Sequence, residues 1–274
     1  MSSRQSPPKS AGQPVATAPS RPRPGFPLSL GQLVTPATGA AKAQRAAVAP
    51  QAAIPAPSGI GLDSSAVRQA MVARLAAQGL RQPEVLQALS QVERHRFVDS
   101  AFVHQAYEDT SLPIGLGQTI SKPSVVARML ELGLGGREGR PRRVLEIGTG
   151  CGYQAALLSR LAHEVYSIER LRALHEKARD NLRHLRLRNL HLMLGDGMLG
   201  YPAGAGYDLI ICAAGGHLIP QAWLDQLAPG GRLVTPAEQG HGHQHLVLIE
   251  RAVQGFIRTV LEAVHFVPLK SGIA

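Results

Sequence analysis

The sequence predicts a Rossmann-like, doubly wound α/β sheet that ends in an antiparallel pair of strands. Three observations predict it. Val144-Leu145-Glu146-Ile147 is a short apolar run of the kind that forms a buried parallel strand. Glycines at alternate positions follow at once, Gly148, Gly150 and Gly152, and then a helix-compatible run from Tyr153 to Ala162. Strand, glycine turn and helix are the front half of a unit that lays a nucleotide-like ligand across the strand's carboxyl end. Further on, strand-like and helix-like segments alternate to the end of the chain.

The first 62 residues stand apart. Residues 1–62 are rich in Ala, Pro, Ser, Gly and Gln, contain no Asp or Glu, and have no apolar period, so they are expected to be disordered. Arg4, Lys9, Arg21, Arg23, Lys42 and Arg45 lie there, supplying six of the chain's ten net positive charges. Spread so thinly, they make no dense basic cluster, and no specific nucleic-acid binding is expected. The prolines work against a targeting helix, and no run reaches the ~18 apolar residues of a membrane span. With only Cys151 and Cys212, no disulfide framework is implied, and a cytoplasmic setting fits.

Residues 63–274 are expected to form one folded body, 63–123 as a cover and loop and 124–274 as the Rossmann-like core. Asp63 or Ser64 can cap a helix to about Gln78, stopped by Gly79, and a second helix follows Pro83. Leu112 to Ser121 (LPIGLGQTIS) is glycine-punctuated and predicted to be a loop, with Pro123 starting a helix through Leu130. After the glycine turn, strands are expected at Val165–Ile168, Leu190–Leu194, Tyr207–Ala214 and Arg232–Thr235, with helices over Leu171–Leu187 and Ile219–Leu227. Arg172, Lys177, Arg179, Arg183 and Arg186 on the first of these helices read as a solvated face. His245–Ile249 and Val260–Val267 would close the sheet.

The ligand is narrowed by charge. A dinucleotide site wants G-x-G-x-x-G, whereas the spacing here is G-x-G-x-G. Glu146, two residues before the first glycine, would repel a pyrophosphate but suits a cofactor with a positive end. Glu169, 21 residues after Gly148, can accept from ribose hydroxyls, and Asp196 can accept from an adenine amino group. Each acid ends a successive strand. With the glycine spacing they favour S-adenosylmethionine, which has an ammonium, a sulfonium and no phosphate, over NAD. His241, His243 and His245 alternate, as zinc ligands can, but Gly240 and Gly242 mark a hairpin turn, and no metal is expected.

From about Val67 to Leu269 the chain resembles protein-L-isoaspartate O-methyltransferases of the bacterial type. LPIGLGQTISKP (Leu112 to Pro123) is similar to that family's signature loop, and VLEIGTGCGYQAALL (Val144 to Leu158) to its cofactor loop. Ile168-Glu169-Arg170, Gly195-Asp196-Gly197, Ala213-Ala214 with Ile219-Pro220, and Phe266-Val267-Pro268-Leu269 also fall where the family has them. The resemblance implies the fold of S-adenosylmethionine-dependent methyltransferases. It implies methylation of the free α-carboxylate of L-isoaspartyl residues in damaged proteins, starting repair through a succinimide, with S-adenosyl-L-homocysteine as the other product. It matches Ser121 to the family's active-site serine, a donor that positions the carboxylate. Gln118, Thr119, Ile120, Arg170 and Gly197 join Glu146, Gly148, Gly150, Gly152, Glu169 and Asp196 as expected cofactor contacts. A plain helix N-cap is the competing reading of Ser121.

The chain departs from the family pattern at Lys122, usually Gln or Ala, at Ser124, commonly aromatic or His, and at Cys151, commonly Ser. The first two bear on peptide preference; Cys151 reads as a small filler at a tight turn. Another methyltransferase, acting on RNA or a small molecule, is the alternative function. Against a base methyltransferase, the fourth strand ends in Ala213-Ala214-Gly215-Gly216 instead of an Asn/Asp-Pro-Pro-aromatic run. A monomer is expected, because bulky protein substrates need an open cleft.

Overall fold

The structure is a computed structural model and describes residues 65–135, 139–240 and 242–274. Residues 1–62, the Asp63 or Ser64 cap and His241 lie outside the described residues.

Helices α1 (Ser65–Ala77) and α2 (Pro83–Gln91) come first; Pro83 sits in the first turn of α2, where a missing N–H costs nothing. Two short 3₁₀ turns, Arg94–Phe97 and Ser100–Gln105, lead to the Leu112–Ser121 stretch. This stretch is not the loop its glycines predict. Strands β1 (Leu112–Gly115) and β2 (Gln118–Ile120) pair antiparallel, Leu112 opposite Ile120. Leu112, Ile114 and Ile120 are buried, so a period of two is present although Pro113 and the glycines obscure it. Gly115, Leu116 and Gly117 all have positive φ and make the turn.

Helix α3 (Pro123–Leu134) begins at the predicted proline. Then β3 (Arg143–Ile147), α4 (Tyr153–Leu161), β4 (Glu164–Glu169), α5 (Arg172–Leu182), β5 (Leu190–Leu194), β6 (Tyr207–Cys212), α6 (Gln221–Gln226), β7 (Leu227–Glu238), β8 (Gln244–Arg251) and β9 (Phe256–Ala263) follow. Helix α5 ends five residues before Leu187: the chain tightens into a 3₁₀ turn at Arg183–Leu185 and Arg186 turns left-handed at φ 48°. Strand β7 is longer than Arg232–Thr235. It starts at Leu227 and absorbs Pro229-Gly230-Gly231 at an irregularity opposite β6, where Tyr207 pairs Leu227 but Leu209 pairs Arg232.

The sheet order is β5-β4-β3-β6-β7-β8-β9, parallel through β7 and antiparallel from β7 to β9. The chain winds outward from β3 in one direction through β4 and β5, then in the other from β6. The carboxyl end of β3 is therefore the topological switch point, where open α/β sheets leave a crevice. Side chains alternate between two cores. Val144, Leu209 and Ile211 face the larger one, shared with α1 to α5; Leu145, Ile210 and Cys212 face the smaller one, with Trp223 of α6. Glu146 falls on the Val144 side, the one polar member of a fully buried strand end.

Candidate active site

At the switch point the glycine turn is pinned from beneath. The amides of Gly148 and Thr149 both donate to the carbonyl of Ile168, at 2.9 and 3.2 Å. Gly148 and Gly150 have φ of 89° and 56°, a region L side chains avoid. Gly152, at φ 91°, faces Leu182 of α5, and a Cβ there would come within 2.8 Å of that side chain. Gly152 thus brings α4 and α5 together and does not line the cavity above.

That cavity holds about 380 Å³, within the range of small-molecule sites. It brings together Gln118, Thr119, Ile120, Ser121, Gly148, Gly150, Glu169, Arg170 and Gly197 of the residues expected from sequence. Glu169 is 5% exposed; its two oxygens accept from the amides of Gly150 (2.8 Å) and Leu171 (2.9 Å), leaving further lone pairs for a ligand. Gly197 is held by Trp223, whose indole N–H donates to its carbonyl at 2.8 Å, while Ile147 leaves no room there for a Cβ.

Glu146 and Asp196 do not line the cavity. Glu146 is wholly buried behind the glycine turn. One oxygen accepts from the Ser167 hydroxyl, which also meets Thr149 Oγ1 at 2.6 Å; the other oxygen has no partner. Burial pushes its carboxyl up to about 8, against the opposing pull of the Ser167 hydroxyl. Gln154 lines the cavity and its own amide nitrogen is unpartnered. A buried acid with a free oxygen and an unsatisfied amide beside it fit a ligand carrying positive charge. Asp196 accepts from Met198 N at 2.9 Å and from Gly272 N at 2.7 Å. Its partner Gly272 belongs to a strap formed by the last residues. Ala274 N donates to Arg170 O (2.9 Å), Arg170 Nε to Gly272 O (3.0 Å) and Arg172 N to Ala274 O (2.8 Å). The strap joins the ends of β4 and β5, and Val267 to Lys270 before it form one cavity wall.

Ser121 is not a helix cap. The N-cap of α3 is Lys122, which makes no side-chain cap bond, and the Ser124 amide and hydroxyl both go to Asp109, at 2.8 Å each. Among the described residues the Ser121 hydroxyl has no partner. It lies on the boundary of two spaces. A second groove of about 570 Å³ is lined by Thr119, Ser121, Ala213 and Val267, which also line the first cavity, and by Lys122 and His265.

Arg94 escaped the sequence reading. It is 0% exposed, its guanidinium carbon lies 4.9 Å from the Tyr153 ring centre, and it donates to the carbonyls of Ala106 and Ser121, each at 2.8 Å. Burial works against its charge. Nothing in the run Glu93-Arg94-His95-Arg96 marks the first arginine over the second. Lys177 also departs from a solvated face: it bridges Asp99 and the carbonyl of Ile114 (2.8 and 2.9 Å), tying α5 to the β1–β2 hairpin. Cys151 is among the residues lining the cavity, and burial pushes its thiol up to about 11, as suits a small filler. His243 and His245 sit in and beside the β7–β8 turn.

A family model described as protein-L-isoaspartate(D-aspartate) O-methyltransferase matches residues 66–274. A protein-L-isoaspartate O-methyltransferase of Methylibium petroleiphilum is 56% identical over 263 residues, covering 92% of this chain and 97% of its own. That alignment extends beyond the residues the family model matches. A solved protein-L-isoaspartate O-methyltransferase is 28% identical with a TM-score of 0.68, over 75% of this chain and 67% of its own. A Plasmodium falciparum structure described as a putative enzyme of this kind, in complex with S-adenosyl-L-homocysteine, shares the fold at 23% identity and a TM-score of 0.65, over 74% of this chain and 98% of its own.

Proposed function

The chain belongs to the protein-L-isoaspartate(D-aspartate) O-methyltransferase family, and we propose that it methylates the free α-carboxylate of L-isoaspartyl residues in damaged proteins. S-adenosyl-L-methionine bound in the 380 Å³ cavity supplies the methyl group and is left as S-adenosyl-L-homocysteine. The acceptor needs no deprotonation, since a carboxylate with pKa near ~4 is already ionised at neutral pH. The protein's task is to strip water from one oxygen and hold it in line with the methyl–sulfur bond.

The residues divide that task. Glu169 and the glycine turn hold the adenosyl part. Glu146 and Gln154 face its positive end from behind the turn, and the strap encloses it from above Asp196. Ser121 donates to the acceptor carboxylate. The observation that carries the reading is the shared wall: the cofactor cavity and the second groove meet at Thr119 and Ser121. A ligand in each would touch there.

The reading includes a monomer acting in the cytoplasm. Two buried free cysteines are consistent with a reducing setting, and no helix among the described residues is long and apolar enough to cross a membrane. Transfer of labelled methyl to an isoaspartyl peptide, its normal aspartyl twin and an RNA tests the function. Label is expected on the first alone; equal labelling of the twin, or labelling of RNA only, rejects it.

A further inference from the structure

We infer that Lys122 makes this enzyme favour isoaspartyl sites flanked by acidic residues. The inference rests on the proposed function, which puts the acceptor peptide in the 570 Å³ groove beside Ser121. Three full charges line that groove, those of Lys122, Arg128 and Glu262. Arg128 is already committed, paired with Glu262 at 3.1 Å and with Glu131 at 3.2 Å. Asp109, which caps the same helix, has both oxygens engaged by Ser124. Lys122 is exposed and has no carboxylate partner among the described residues. Among the charges that line the groove, Lys122 is therefore the one without a partner of opposite sign; Asp109 keeps its negative charge but does not line the groove. His265 also lines the groove.

Position decides what that cation meets. Ser121 is the residue assigned to the reacting carboxylate, and the next Cα along is about 3.8 Å away. An extended peptide advances about 3.3 Å per residue, so an ammonium on a four-carbon stem at Lys122 covers side chains one or two positions from the isoaspartyl residue. A flanking Asp or Glu gains an attraction there; a flanking Lys or Arg is repelled. Because the groove is open, the interaction is that of an exposed pair, worth roughly a two- to fivefold change in affinity and weakened by salt.

The test compares isoaspartyl peptides identical except for Asp, Ala or Lys next to the isoaspartyl residue, on either side. In the native protein kcat/KM should fall in the order Asp, Ala, Lys, with about tenfold between the extremes at low salt and less at 0.5 M. Lys122→Arg should keep the order, Lys122→Gln should shrink the ratio several-fold, and Lys122→Glu should reverse it. Ratios taken within one protein cancel any loss of folded enzyme. No order in the native protein, or the native order surviving in Lys122→Glu, overturns the inference while leaving the proposed function intact. Failure to methylate any isoaspartyl peptide overturns both.

Discussion

Arg94 holds the main-chain carbonyl of Ser121 at 2.8 Å from a position with no exposure to solvent. The same guanidinium binds Ala106 O and lies on Tyr153, the first residue of α4 beneath the glycine turn. One buried cation thus ties the covering segment, the serine loop and the cofactor loop. Replacing it with Lys keeps a charge but cannot serve two carbonyls in fork geometry. A lost hydrogen bond to a charged group is worth about 1.5–3 kcal/mol, roughly a ten- to hundredfold effect if it is felt at the reacting atoms. Arg94→Lys should lower kcat on an isoaspartyl peptide at least tenfold and move the cofactor Kd far less. A kcat that falls only in proportion to the folded fraction, measured by circular dichroism, would reduce Arg94 to a structural role.

Ser121 is the next link. Its hydroxyl is spared from capping α3 by Asp109 and is free to donate where cavity and groove meet. Ser121→Ala should lower turnover about tenfold, the order of one hydrogen bond to a charged acceptor, with little change in cofactor Kd. Unchanged turnover on an isoaspartyl peptide removes the hydroxyl from the mechanism.

What could be read in advance was what the chain keeps contiguous. The strand, glycines and helix from Arg143 to Leu161 follow one another, so period and turn chemistry suffice, and the glycine turn, Glu169 and Gly197 stand where the alternation of strands puts them. Elements that depend on distant partners carry no such local sign. The β1–β2 hairpin shows its alternation only because Leu112, Ile114 and Ile120 have a core to enter, and β7 extends through Pro229-Gly230-Gly231 only because β6 receives it. Arg94 meets its partner 27 residues on, and Asp196 meets Gly272 76 residues on. No local pattern encodes either meeting. Asp196, expected to accept from an adenine amino group, has one backbone amide on each oxygen and stands outside the cavity lining.

That engagement of Asp196 has a measurable consequence. If the strap encloses the adenosyl end, removing residues 271–274 cuts the bonds to Asp196, Arg170 and Arg172 and opens the cavity next to Lys270. Cofactor dissociation should then quicken, with Kd rising roughly tenfold for the loss of about 1.4 kcal/mol of enclosure. Stopped-flow release of S-adenosyl-L-homocysteine measures it. A Kd within twofold of the native value would show that the strap only braces the ends of β4 and β5.

Glu146 supplies the pH dependence. Burial pushes its carboxyl from the ordinary 4.5 of an open chain up to about 8, because it disfavours the charge. The protonated form therefore contributes to stability below about pH 4.5, and that contribution is lost as pH rises through 8. A ligand with a positive end favours the ionised carboxylate, so below pH 8 its binding must expel a proton. Affinity for S-adenosyl-L-methionine should climb with pH from 6 to 8, approaching about tenfold per pH unit, and level off above. Calorimetry in two buffers of different ionisation heat counts the proton directly. Glu146→Gln cannot ionise, so it should bind more weakly and with a flat profile over the same range. Equal pH dependence in the variant would assign the titration to another group, and a flat profile in the native protein would mean that Glu146 keeps its proton with the cofactor in place.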